Sequence, residues 1–130
     1  MKRADVVIIG GGPAGMAAAL SARAHGAEKV LLLERDNTLG GILPQCIHDG
    51  FGTLIMKERL TGPEYAEHFA RLVQQDDIEC LPETMVLEIN KDLSLTAVNA
   101  RDGMLPIQAG AIVLAMGCRE RTRSQIMIPG

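Results

Sequence analysis

The chain has 130 residues, of which 47% are hydrophobic, and it carries a net charge of −3 at pH 7. This length predicts a single domain with a sizeable core. The slightly acidic balance argues against nucleic acid as a main partner, and the absence of Trp beside one Tyr and two Phe leaves no base-stacking platform. No stretch of the sequence has the length and apolar character of a membrane span, so a membrane is not an expected partner.

Three cysteines, Cys46, Cys80 and Cys118, are scattered along the chain, and no C-x-x-C motif occurs. An odd and scattered set does not predict a disulfide framework. We therefore expect free thiols and a cytoplasmic location, because a reducing compartment keeps such thiols reduced.

The amino-terminal region joins a short apolar run to a glycine cluster. Residues 6–9 read VVII, which is typical of a buried parallel strand. The sequence GGGPAG follows and matches G-x-G-x-x-G at Gly10, Gly12 and Gly15. Pro13 suits the first position of a helix, because its φ is fixed and a first-turn N–H has no helical partner.

A helix is predicted over residues 13–25, where alanines favour helix formation and close packing on a sheet. A second apolar strand is predicted over residues 29–34, and it ends in the acid Glu34. Strand, glycine turn, helix, strand and terminal acid together form the pattern that binds the ADP half of a dinucleotide. Glu34 is placed to accept hydrogen bonds from ribose hydroxyls, and its charge argues against a 2′-phosphate. A plain glycine-rich turn would not explain this spacing.

The middle of the chain is predicted from turn signals and periodicity. Residues 35–60 contain several glycines and read as a long irregular loop of the kind that covers a ligand. A second helix with one apolar face begins after Thr61, and a short strand follows at residues 78–81.

An antiparallel three-stranded meander is predicted after this βαβ core, with strands at residues 84–90, 94–100 and 105–115. The dipeptide Asp102-Gly103 is a strong hairpin signal. Residues 111–116 are uniformly apolar and predict a buried strand. The predicted fold class is thus α/β, a Rossmann-like domain with a parallel sheet and an antiparallel meander.

With these elements in place, the chain resembles the flavoproteins related to thioredoxin reductase and to the pyridine nucleotide-disulfide oxidoreductases. Three features carry the resemblance: GGGPAG at residues 10–15 followed by Ala19, the pair Glu34-Arg35, and AIVLAMG at residues 111–117. The last run looks like the second flavin motif of the family, an apolar strand ending in A-x-G. The resemblance covers nearly the whole chain. It implies the FAD-binding part of an oxidoreductase in which electrons pass between NAD(P)H, or a small substrate, and FAD.

The resemblance also implies which residues contact FAD. The glycine turn would hold the pyrophosphate, Glu34 the adenosine ribose, and residues 41–42 the ribityl chain or the flavin. Residues 115–117 would pass the pyrophosphate from the other side. The full implied set is Gly10, Gly12, Pro13, Ala14, Gly15, Glu34, Arg35, Gly41, Ile42, Met85, Val86, Ala115, Met116 and Gly117. Arg35 and the backbone of residues 85–86 would lie beside the adenine.

A narrower likeness rests on GGILPQCIHDGFG at residues 40–52 and on CRERTR at residues 118–123. Both segments look like flavoprotein subunits associated with glycerol-3-phosphate dehydrogenase. The family's disulfide enzymes carry a Cys pair, whereas the loop after the second strand here has only Cys46, so dithiol–disulfide exchange is not expected.

The family continues past this chain into an inserted NAD(P)H-binding domain and then returns to the flavin domain. Residues 126–130 look like the crossover into that second domain. We therefore expect residues 1–130 to form a single FAD-binding domain that is a truncated fragment of the complete enzyme. Weak FAD affinity, or dimerisation through exposed apolar residues near 126–128, would follow from the missing segments.

No catalytic residue is certain from the sequence. Cys46 and His48 would share a face of an extended segment, and a neighbouring imidazolium would lower the pKa of a thiol. A packed thiol beside an incidental surface imidazole is the favoured interpretation, because no third orienting group is identifiable. No metal site is expected, because this loop offers too few ligands.

Two alternatives remain open beside the flavoprotein hypothesis. In the first, the chain is a non-catalytic nucleotide-binding module, and in the second it is an NAD-binding Rossmann domain. The second flavin motif at residues 111–117 disfavours the NAD alternative, because a simple NAD domain has no need of it. The expected partners are a small-molecule cofactor and substrate, with a homo-oligomer or a larger oxidoreductase as the assembly.

Overall fold

A mixed sheet of six strands organises the computed structural model, which describes residues 1–128. In chain order the elements are β1 (Lys2–Ile9), α1 (Pro13–Ala24), β2 (Val30–Leu33), a 3-10 turn (Leu43–Gln45), β3 (Asp49–Phe51), β4 (Leu60–Thr61), α2 (Gly62–Gln75), β5 (Glu79–Leu81), β6 (Met85–Ile89), β7 (Ser94–Asn99) and β8 (Gly103–Leu114). The strand order in the sheet is β5-β2-β1-β8-β7-β6.

Parallel pairing joins β5, β2, β1 and β8, whereas β6, β7 and β8 form an antiparallel meander. The predicted α/β class with both sheet types is therefore confirmed. Ile9, the last residue of β1, lies beside Leu33 of β2 on one side and Leu114 of β8 on the other. The chain leaves β1 for β2 in one direction and reaches β8 in the other, so the carboxyl end of β1 is a topological switch point, where such sheets bind ligands.

Two apolar layers cover the two faces of the sheet. Ile8 and Leu32 pack under the helices together with Met16 of α1 and Val73 of α2. On the opposite face, strand residues such as Val7 pack against residues of the meander. Both layers converge on β1, which fixes the position of its carboxyl end.

A capping box begins α2. The Thr61 backbone N–H donates to Glu64 Oε2 at 2.7 Å, and the Glu64 N–H donates to Thr61 Oγ1 at 3.4 Å. These bonds satisfy N–H groups that have no partner within the helix. The predicted start of this helix after Thr61 is confirmed.

Thr61→Ala is expected to destabilise the chain by about 1 kcal/mol, the usual contribution of such a cap, whereas Thr61→Ser should be nearly neutral.

The backbone N–H of Thr61, and then its hydroxyl, lower the pKa of the Glu64 carboxyl. The contribution of the ionised Glu64 carboxylate to the cap is therefore present above the unfolded-state pKa and is lost as the pH falls through the folded-state pKa. Urea unfolding of both variants at neutral and acidic pH measures the loss in the free energy of unfolding and its dependence on pH. An equal loss for the serine variant would contradict the capping role.

The segment 35–60 is more ordered than the sequence predicts. It contains the 3-10 turn and an antiparallel pair, β3 with β4, whose register shifts between Asp49 and Phe51. The ring of Phe51 lies 6.1 Å from that of Tyr65 on α2. Packing on α2 therefore orders a loop that local sequence signals describe only as irregular.

The expectation that residues 111–116 are buried is wrong. Leu114 is 59% exposed and Met116 is 66% exposed. The pairing of β7 with β8 ends at Gln108, so within residues 1–128 only β1 pairs with the last part of β8. An apolar strand end is exposed because no other described element covers it.

Neither helix of the described chain is long and apolar enough to span a membrane.

Candidate functional site

The glycine turn lies at the carboxyl end of β1, where two of its glycines are sterically required. Gly10 has φ of +107°, and a Cβ there would lie 2.3 Å from the carbonyl oxygen of Ala115. A Cβ at Gly15 would lie only 1.8 Å from the carbonyl oxygen of Gly10. Because Gly15 and Gly10 have no side chains, α1 and β8 approach the turn closely.

Gly12 differs from both, because the space beside it is open. The nearest atom to a Cβ at Gly12 would be the Cα of Gly41, at 3.8 Å. Gly12 is also the N-cap of α1, and no side chain within residues 1–128 caps the N–H groups of this helix. No acidic residue lies in the first helical turn. The free N–H groups of residues 14 and 15 and the helix dipole together suit a pyrophosphate, and the missing side chain of Gly12 leaves room for it.

A second glycine pair borders this opening. The Gly40 N–H donates to the carbonyl oxygen of Gly11 at 2.8 Å. Gly41 has φ of +57°, and a Cβ there would approach the Cα of Gly12 to 3.1 Å. The two glycine segments thus meet backbone to backbone, which leaves Gly41 and the exposed Ile42 at the edge of the opening.

Glu34 is the buried acid of the site, with 6% of its surface exposed. Its Oε2 accepts a 2.7 Å hydrogen bond from the Gly11 N–H, and its Oε1 accepts one of 2.8 Å from the Asp36 N–H. The carboxylate therefore joins the end of β2 to the glycine turn, a role that sequence reasoning missed. Each oxygen retains another lone pair, so the predicted bonds to ribose hydroxyls remain chemically possible.

Glu34→Gln is expected to destabilise the chain by about 1–3 kcal/mol. The amide has one oxygen where the carboxylate has two, so its NH₂ would face one of the two N–H donors and leave that donor unsatisfied in a buried place. Glu88→Gln, at an exposed position of β6, is the matched control and should change the free energy of unfolding by less than about 0.5 kcal/mol. Equal unfolding curves for the two variants would show that the Glu34 bonds contribute little.

The implied contact residues at the end of β8 lie beside the glycine turn. The Ala115 N–H donates to the carbonyl oxygen of Ile9 at 2.8 Å, which brings the second motif beside the glycine turn. Met116 and Gly117 follow and are exposed. Of the residues that the resemblance assigns to the adenine, Arg35 and Met85 are exposed, and Val86 is half-buried.

Cys46 and His48 have separate partners. The Cys46 thiol donates to the carbonyl oxygen of Ile42 at 3.5 Å. His48 Nδ1 lies 3.3 Å from the carbonyl oxygen of Asp49, and its ring lies 5.2 Å from that of Phe51. Among the described residues no hydrogen bond joins the thiol to the imidazole, and no group of three or more metal-binding side chains occurs.

The thiols of Cys80 and Cys118 are expected to differ in reactivity. Cys118 is exposed, whereas Cys80 is half-buried and burial, with a smaller effect of the Glu79 charge, raises the pKa of its thiol. Because the thiolate is the reacting form, Cys118 should be alkylated by iodoacetamide well before Cys80 at pH 8. Peptide mass spectrometry over a time course measures the order, and faster labelling of Cys80 would contradict it.

The parallel sheet, the glycine turn at its switch point and the buried acid at the end of β2 together define a Rossmann-like dinucleotide-binding domain. Residues 4–130 match the family described as Pyridine nucleotide-disulphide oxidoreductase, and the chain belongs to this family. It corresponds to the FAD-binding part of these flavoproteins. The resemblance identified from the sequence is thereby confirmed.

Individual relatives agree with this assignment. The chain is 30% identical over 122 residues to hydrogen cyanide synthase subunit HcnB of Pseudomonas protegens, covering 89% of this chain and 25% of that protein. It is 32% identical over 126 residues to an opine oxidase subunit of Rhizobium meliloti, covering 90% and 23%. The crystal structure of L-proline dehydrogenase from P. horikoshii superposes with a TM-score of 0.78 at 28% identity, covering 93% and 24%. The chain thus spans about a quarter of the length of these relatives.

Proposed function

We propose that this chain holds the pyrophosphate of FAD at the amino end of α1 and forms the flavin-binding part of a larger oxidoreductase. The observation that carries the proposal is the contrast among three glycines of one turn. Side chains at Gly10 and Gly15 would collide with backbone, whereas the space beside Gly12 is open. Close packing against the backbone explains why Gly10 and Gly15 are glycines, and the space needed by a bound ligand explains Gly12.

The other contacts of FAD are proposed from the family resemblance. Pro13 and Ala14, exposed at the start of α1, border the pyrophosphate, and Glu34 accepts hydrogen bonds from the adenosine ribose. Arg35 and the backbone of residues 85–86 border the adenine. Gly41 and Ile42 approach the ribityl chain or flavin, and residues 115–117 pass the pyrophosphate from the other side. The bound flavin would supply the electron chemistry, and the chain would supply binding, orientation and electrostatics.

The complete enzyme is proposed to pass electrons between NAD(P)H, or a small substrate, and FAD. Two relatives are named as subunits, which supports assembly into a multi-subunit oxidoreductase, and a homo-oligomer is the alternative assembly. The likeness to subunits associated with glycerol-3-phosphate dehydrogenase, together with the exposed Arg119 and Arg121, favours a phosphate-bearing substrate. Cys46 and His48 remain weak candidates for a catalytic role, and a cytoplasmic location is proposed.

The domain boundary is part of the same proposal. We propose that residues 1–130 form one FAD-binding domain and that the sequence crosses into an NAD(P)H-binding domain near its end. The proposed crossover at residues 126–130 includes Pro129 and Gly130, which lie outside the described residues. Ile126 and Ile128 are exposed and would be available to another domain or to a second copy.

Isothermal titration with FAD, ADP, NAD⁺ and NADP⁺ tests the proposed function. FAD should bind at least about tenfold more tightly than either nicotinamide nucleotide, a difference of about 1.4 kcal/mol. Preferential binding of NAD⁺ would favour the NAD-domain alternative. Equal affinities for FAD and ADP, together with an absorption spectrum of FAD that does not change when the chain is added, would favour a nucleotide-binding module without redox turnover.

A further inference from the structure

A buried hydroxyl lies behind the acid of the site. Thr84, in the turn between β5 and β6, has 2% of its surface exposed. Its Oγ1 donates to the carbonyl oxygen of Pro82 at 2.9 Å and accepts from Asn99 Nδ2 at 3.2 Å. A buried hydroxyl is costly unless it is satisfied, and here both its donor and an acceptor lone pair have partners.

The main chain of residues 81–84 is hydrogen-bonded to the main chain at the end of β2, at Glu34 and at Asp36. The Thr84 N–H donates to the carbonyl oxygen of Glu34 at 2.8 Å, and the Glu34 N–H donates to the carbonyl oxygen of Leu81 at 3.0 Å. The Glu83 N–H donates to the carbonyl oxygen of Asp36 at 2.9 Å. Glu83 also has φ of +51°, a conformation that persists in a non-glycine residue only when its surroundings hold it.

Asn99 extends this network into the meander. It is the last residue of β7, and its Oδ1 accepts a 2.6 Å bond from the Asp102 N–H in the hairpin that leads to β8. Its Nδ2 is the donor to Thr84. The hairpin, the Thr84 turn and the Glu34 strand end are thus connected by consecutive hydrogen bonds, none of which involves the glycine turn directly.

We propose that Thr84, anchored by Asn99, is a positioning residue for the adenosine half of the cofactor. It fixes the main chain of Glu34, so that the carboxylate stays on the Gly11 N–H and presents its remaining lone pairs to the ribose. This inference rests on the proposed function, because it assumes that the adenosine of FAD lies at Glu34. The hydroxyl of Thr84 acts through Glu34 and does not itself contact the ligand.

The test compares Thr84→Val, which keeps the shape but removes both hydroxyl bonds, with Thr84→Ser, which keeps them. Thr96→Val, at a half-buried position of β7 between Glu88 and Pro106, is the matched control. Asn99→Ala removes the other end of the bond and provides a second variant if Thr84→Val does not fold. Circular dichroism establishes which variants are folded.

The first readout uses the chain without ligand and follows hydrogen exchange of the Gly11 amide by NMR. Thr84→Val should accelerate this exchange by about tenfold, the change expected when a buried hydrogen bond that holds the acceptor is lost. Asn99→Ala should act in the same direction, and Thr84→Ser and Thr96→Val should stay within about twofold of the wild-type rate. Unchanged exchange in both Thr84→Val and Asn99→Ala would overturn the positioning role.

The second readout is calorimetric binding of ADP and of inorganic pyrophosphate. Thr84→Val should weaken ADP by about tenfold and leave pyrophosphate unchanged, because only ADP contacts the acid through its ribose. Equal weakening of both ligands, or of neither, would overturn the inference while the proposed function stands. A wild-type chain that binds neither ADP nor FAD would instead refute the proposed function, and the inference with it.

Discussion

Gly15→Ala is expected to destabilise the chain by about 3 kcal/mol, the upper end of the usual cost of overpacking. The added methyl would lie 1.8 Å from the carbonyl oxygen of Gly10 and 2.9 Å from its carbonyl carbon. Both are backbone atoms at the junction of β1 and α1, so the clash is relieved only if the helix moves away from the sheet. Met16 and Ala19, which are fully buried beside it, would lose packing as a result.

Thermal unfolding followed by circular dichroism measures this effect. A loss of about 3 kcal/mol corresponds to a fall in Tm of roughly 10 °C for a domain of this size. Gly12→Ala, three residues earlier in the same turn, is the matched control. A Gly15→Ala variant with the wild-type Tm would show that the helix and the turn are less closely packed than the structure indicates.

Gly12→Ala is expected to leave the fold intact and to weaken FAD binding by on the order of a hundredfold, or about 2.7 kcal/mol. Gly12 has φ of −72° and ψ of −175°, which an alanine adopts without strain. Among the described residues the methyl would meet no atom closer than 3.8 Å, and it would instead occupy the space assigned to the pyrophosphate. Stability should change by less than about 1 kcal/mol, because the loss of a favourable N-cap residue and the lower entropy of the unfolded chain act in opposite directions.

Titration of FAD into Gly12→Ala and wild-type chains, followed by flavin fluorescence, measures this prediction. Riboflavin, which has no pyrophosphate, serves as the reference ligand, and its binding should not distinguish the two chains. Wild-type affinity for FAD in the variant would mean that the open space beside Gly12 is not where the pyrophosphate lies.

The parts of the fold that the sequence predicts are those set by local spacing. The glycine turn and the Thr61 cap each depend on residues within a few positions of one another, and Glu34 directly follows a short apolar strand, so all three can be predicted from the sequence pattern. Turn signals such as Asp102-Gly103 predict the meander, and the observed β7 and β8 confirm it within a few residues at each end.

The parts that the sequence does not predict depend on which segments meet in three dimensions. The exposure of Leu114 follows from where β7 stops pairing with β8, and uniform hydrophobicity gives no sign of it. The bond from Gly11 to Glu34 joins residues 23 positions apart, and Thr84 reaches Asn99 across 15. No local signal distinguishes Thr84 from other threonines at the start of a strand.

Equilibrium dialysis against FAD, read by the visible absorption spectrum on each side of the dialysis membrane, tests whether this chain holds FAD on its glycine turn. It detects even weak binding, which desalting would lose. We expect excess flavin absorbance on the protein side that saturates at one FAD per chain, and with Gly12→Ala about a hundredfold more FAD should be needed to reach the same excess. Equal flavin on both sides at every FAD concentration would contradict the claim that this chain holds FAD on its glycine turn.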